Sequence, residues 1–153
     1  MTSNRPDGKH DAWSLLLLKA QRTHQDAQQR LAQAQAREAQ LLASEQRVRA
    51  MVAEYRRRQM AVLEDGQLMA DTLNDRQFLG QLQQLLDQSM RASTQARIAR
   101  EAQAREVLAA RAEVDKAEKL QAHARAREQV WRERAEQKAQ DDLATMRFQW
   151  RHA

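Results

Sequence analysis

After Pro6 the chain contains no proline, and its only glycines are Gly8, Gly66 and Gly80. Proline removes a backbone donor and clashes with the preceding turn, and glycine costs conformational entropy, so these residues mark where helices stop. From Asp11 to about Leu63 nothing interrupts a helix, and from about residue 72 to Arg147 only Gly80 weakens one. Between them Glu64-Asp65-Gly66 reads as a stop. Thr72-Leu73-Asn74-Asp75 has the spacing of a capping box that restarts a helix. A short helical turn over residues 68–73 is compatible with the loop. The expectation is one all-α unit over residues 1–153: a first helix over 11–63, a tip loop over 64–74 and a second, longer helix over 75–147.

Helices of about 50 and 75 residues without internal caps argue for a coiled coil over globular packing. Counting in sevens from Trp13 gives Ala20, Ala27, Ala34, Leu41, Val48, Tyr55 and Val62, apolar every time. In a chain that is 42% apolar, chance alone produces such a run about once in a thousand trials, before allowing for the seven registers. The companion positions Leu17, His24, Leu31, Glu38, Glu45, Val52 and Gln59 are mixed, so one edge of the seam is partly polar, which weakens the core and helps fix register. The second helix carries a matching series at Leu82, Ser89, Ala96, Gln103, Ala110, Ala117, Ala124 and Trp131, flanked by Phe78, Leu85, Ala92, Ala99 and Leu120. Reversal of the chain near residues 67–69 would set Tyr55 against Leu82, Leu41 against Ala96, Ala27 against Ala110 and Trp13 against Ala124. The two stripes then share one antiparallel register, and facing alanines let the helices approach closely.

That register leaves the second helix without a partner beyond about residue 125, an overhang of roughly 35 Å at the helical rise. It holds Trp131, Phe148 and Trp150 among Arg132, Arg134, Lys138, Arg147 and Arg151. Aromatics on an unpaired helix call for burial somewhere, which leaves either a frayed or self-associating tail or a partner's pocket.

Composition agrees with a narrow seam. Aromatic residues make up 4% of the chain, too few for a thick core. The net charge of +5 comes from 26 basic residues set among 21 acidic ones. Interleaved charge is the mark of a solvated helix surface, whereas nucleic-acid binding calls for a sustained basic stripe with stacking aromatics. There is no cysteine, hence no disulfide and no thiolate metal site. The N-terminal stretch shows no apolar signal core, and the leucine run at 15–18 is too short to cross a bilayer, which points to a cytoplasmic protein without membrane insertion. No catalytic, metal or cofactor constellation is present. His10, His24, His123 and His152 lack ligand spacing, the carboxylates lie on convex helix surfaces, and no glycine-rich phosphate loop exists. The sequence reads as a non-enzyme acting through protein surfaces.

The segment Val48-Arg49-Ala50-Met51-Val52-Ala53-Glu54-Tyr55-Arg56, followed after a loop by Arg76-Gln77-Phe78-Leu79-Gly80-Gln81-Leu82, resembles the FliJ/YscO family of flagellar and virulence type III secretion stalk proteins. The Tyr-Arg pair closing the first helix, the Gln-Phe with spaced leucines opening the second, and the Arg-, Ala- and Gln-rich second helix all fit. The resemblance implies an antiparallel coiled coil similar to the central stalk of rotary ATPases. It also implies association with a hexameric export ATPase, with the cytoplasmic domain of the export gate, and in some members with export chaperones. The family's gate-binding surface carries over to Val48, Met51, Tyr55, Phe78, Leu82, Leu85 and Ser89, with Leu85 and Ser89 departing from the family's residues. By analogy with a rotary stalk, Arg125, Arg127, Trp131, Arg132 and Arg134 on the overhang are candidates for the ATPase contact. Tyr55, Phe78 and Leu82 equally fit a purely structural role in holding the tip closed. Two other readings stay open: a self-associating scaffold, with Leu16, Leu42, Leu63 and Leu86 exposed for pairing with another copy, and a binder of nucleic acid or membrane surface.

Overall fold

A computed structural model describes residues 7–66 and 69–152 of the chain. They form two helices, α1 (Asp7–Glu64) and α2 (Met69–Arg151), with no strand among the described residues. Both begin earlier than the breaker pattern suggests. Thr72-Leu73-Asn74-Asp75 therefore lies inside α2 and does not open it. Met69 and Ala70 are good helix formers and carry the helix back past the capping signal. The proposed reversal at residues 67–69 falls partly outside the described residues.

The stop at Glu64-Asp65-Gly66 holds. Asp65 donates its amide to the Ala61 carbonyl at 3.2 Å, and Gly66 takes a φ of 72°. This left-handed residue ends the helix in the manner typical of C-terminal caps, and a side chain there would be strained. Gly80, by contrast, leaves α2 unbroken, and a Cβ at that position would meet nothing within 4 Å.

The chain divides into two compact units, residues 26–107 and residues 1–25 with 108–153. In the first, α1 and α2 run antiparallel. Glu45 meets Ser93, Glu38 meets Arg100 and Arg30 meets Glu106, so partners rise in number along one helix as they fall along the other. Each pair lies within one or two residues of the register drawn from the apolar stripes. Val48, Val52, Leu82 and Ala96 are buried between them, as is Ser93. In the second unit Gln121 donates from Nε2 to the Ser14 hydroxyl at 3.1 Å. Val114 and Ala117 are its most buried side chains, and Trp13, Leu17, Ala20 and His24 are half-buried.

Every position of both heptad series on α1 is buried or half-buried, from Trp13 to Val62 and from Leu17 to Gln59. On α2 the series from Leu82 to Ala124 behaves the same way, but Trp131 is 58% exposed. Of the flanking edge, Ala92 and Leu120 are half-buried as expected, but the rest differs. Phe78, Leu85 and Ala99 are exposed, whereas Leu79, Leu86, Ser93, Arg100, Val107, Val114 and Gln121 are buried or half-buried. Leu86 is thus a seam residue and not a surface leucine, while Leu16, Leu42 and Leu63 are exposed.

Candidate functional site

The face beside the connection between the helices begins with Tyr55. Its position on the apolar series places the ring at the edge of the seam, half-buried. Its hydroxyl donates to the Asp75 carboxylate at 2.6 Å, and its ring meets Phe78 with centroids 4.8 Å apart and planes tilted by 57°. A tilted pair at this spacing directs the positive edge of one ring at the electron-rich face of the other. The bond to Asp75 and partial desolvation hold the Tyr55 hydroxyl in its protonated form and raise its pKa above the ordinary value. α1 and α2 are therefore joined here by a hydrogen bond and an aromatic contact that fix the directions of both rings.

Around this pair the candidate residues divide by exposure. Val48 and Leu82 are buried in the seam, and Ser89 is half-buried. Met51, Phe78 and Leu85 are 50%, 44% and 44% exposed. On each helix the inward residues are the heptad positions and the outward ones are their immediate neighbours, so the surface is a consequence of the register. The sequence reading gave no sign of Asp75 as the anchor of Tyr55. Nor did it single out Met60, exposed beside Leu63 on a shallow patch of the last turns of α1 lined also by Arg56, Arg57 and Gln59.

Further along the same unit, polar pairs cross the seam. Ser93 donates from its hydroxyl to Glu45 at 2.5 Å, and Arg49 reaches the same carboxylate at 2.9 Å. These bonds, the Ser93 bond foremost, hold the Glu45 carboxyl below its ordinary pKa. Arg100 donates from Nε to Glu38 at 2.5 Å. Both carboxylates belong to the partly polar companion series of α1, and both find donors on α2.

The second candidate surface is the tail of α2. All side chains from Gln129 to His152 are exposed, Glu128 being the last half-buried one. Arg125 and Arg134 are exposed. Arg127 reaches the His123 carbonyl at 3.4 Å, and Arg132 pairs with Glu128 at 2.6 Å. Phe148 stacks on His152 with ring centroids 4.2 Å apart, while Trp150, two residues on, is 87% exposed. Among the described residues no group of acidic or histidine side chains is arranged to hold a metal ion, and no helix is long and apolar enough to cross a membrane.

A coiled coil of this kind is not informative about lineage by shape alone, and the decision comes from comparison with known families. The profile described as Flagellar FliJ protein matches residues 11–152, nearly the whole chain. The chain belongs to the FliJ family. That membership groups it with the flagellar and type III export apparatus, in a family that is not a known enzyme family. No curated protein and no solved structure matches the chain.

Proposed function

We propose that this FliJ-family chain is a non-enzymatic stalk of a type III protein export apparatus in the cytoplasm, peripheral to the inner-membrane export gate. In this reading the α2 overhang, through Arg125, Arg127, Trp131, Arg132 and Arg134, contacts the hexameric export ATPase. The face made by Met51, Tyr55, Phe78 and Leu85, backed by Val48, Leu82 and Ser89, contacts the cytoplasmic domain of the gate. Family membership over residues 11–152 carries the reading. The exposed apolar side chains of the face support it, because Phe78 is held at a fixed angle by Tyr55 and needs no ordering on binding. A slender, arginine-decorated helix suits transient contact with acidic loops of a ring.

The test is the hydrolysis rate of the export ATPase from the same genome with increasing amounts of this protein. A saturable rise that levels off near one chain per hexamer is the expected result. No change with a folded chain sinks the ATPase role and favours a scaffold or an escort of export chaperones. Phe78→Ala combined with Met51→Glu is expected to weaken binding to the isolated gate domain while the helical circular dichroism stays unchanged.

A further inference from the structure

The tail of α2 carries an apolar stripe that does not continue the seam. Followed past Glu128, the seam register runs through Trp131, Ala135, Lys138, Asp142, Thr145 and Gln149, polar from Lys138 onward. Apolar residues recur instead at Ala135, Ala139, Leu143, Met146 and Trp150, which fall within an arc of about 80° on a helix of 3.6 residues per turn. Leu143, Met146 and Trp150 are 56%, 60% and 87% exposed.

Two features of this stripe define what covers it. The first is size. Laid antiparallel against itself about Leu143, the stripe sets Trp150 over Ala135 and Met146 over Ala139, with Leu143 meeting its own copy. The four layers on either side of Leu143 each match a large side chain with a small one, which is how helix pairs fill their interface without voids. The second is charge. One edge of the stripe carries Glu133 and Glu136 toward its start and Arg147 and Arg151 toward its end. In an antiparallel pair the same edge of each helix meets the other, so the two glutamates of one copy meet the two arginines of the second, and again by symmetry.

We propose that this face binds a second copy of the chain, as an antiparallel two-helix contact of α2 tails centred on Leu143. The contact covers Trp150 and leaves the arginines from Arg125 to Arg134 at its margins. Five layers bury on the order of 1,000 Å² in total, the low end for specific interfaces, so a roughly micromolar or weaker dissociation constant is expected. The proposal stands on the tail's own residues and not on the export role.

Sedimentation of the full chain from about 1 to about 300 µM tests it by mass action. A monomer–dimer equilibrium is expected, weakened about tenfold or more by Trp150→Ala. Arg147→Glu with Arg151→Glu, and separately Glu133→Arg with Glu136→Arg, are each expected to abolish it, and an equimolar mixture of the two double variants is expected to restore it as a heterodimer. Circular dichroism checks that each variant keeps its helices. A chain that stays monomeric throughout overturns the proposal. A dimer indifferent to the tail variants, or a mixture that fails to recover, overturns it equally.

Discussion

The unit of residues 26–107 and the tail beyond Glu128 are built from the same residue types, yet they treat them in opposite ways. In the unit, three polar side chains at seam positions are tolerated because they meet partners on the facing helix: Glu45 with Ser93, Glu38 with Arg100, Tyr55 with Asp75. In the tail, large apolar side chains are exposed and no facing helix exists among the described residues. Burial in a two-helix protein is thus a property of the pair, and a residue's own polarity does not settle it.

The sharpest way to break this comparison is to place the same charge in both regions. Val52→Asp or Leu82→Asp puts a carboxylate where only 5% of the side-chain surface is open. A loss of about 3 kcal/mol of stability in urea unfolding is expected, from an uncompensated buried charge. Leu143→Asp in the tail is expected to stay within about 0.5 kcal/mol, the range for surface sites, when measured at low concentration. Equal effects would mean that the tail is packed against something within its own chain.

Next in size is the Glu38–Arg100 pair. Removing the carboxylate with Glu38→Ala leaves a half-buried guanidinium without its acceptor, and a loss of about 1–2 kcal/mol is expected from the same unfolding curves. Gly66→Ala forces a side chain into a φ of 72° and is expected to cost about 1 kcal/mol, read from the urea midpoint.

The smallest effect expected is that of pH on Glu45. Its carboxyl is held below the ordinary value of about 4.5 in the folded chain. A depressed folded pKa gives stability that is present above the unfolded pKa and fades as pH falls through the folded one. Unfolding followed from pH 6 downward, over about three pH units, should therefore show a loss that Glu45→Gln flattens. An unchanged slope in Glu45→Gln would remove the Ser93 bond as a contributor.

How much of this was legible in the sequence follows from the same pairwise logic. The α1 stripe was plain, since Trp13, Ala20, Ala27, Ala34, Leu41, Val48, Tyr55 and Val62 recur in sevens without a polar residue. The second edge of α2 was legible only at Ala92 and Leu120, which are half-buried. Phe78, Leu85 and Ala99 look like core by type and are exposed, while Ser93, Arg100 and Gln121 look like surface and line the seam. Only their partners Glu45, Glu38 and Ser14, on the other helix, make them interior residues, and periodicity within one helix does not contain that information. Trp131 continues the heptad of α2 but lies on the overhang, exposed as the register drawn from the stripes requires, because a heptad buries nothing once the facing helix is gone. Of the face around Tyr55, the residue types were legible; the division into buried Val48 and Leu82 and exposed Met51, Phe78 and Leu85 needed the register.

One glycine has a mechanical meaning. Nothing within 4 Å would oppose a side chain at Gly80, so packing does not require a glycine there. A helix interior without that side chain has its lowest bending stiffness at that residue. Phe78 precedes it by two positions and Leu82 follows it by two. The exposed ring and the buried leucine thus stand on either side of the residue where α2 has no side chain to restrain its backbone.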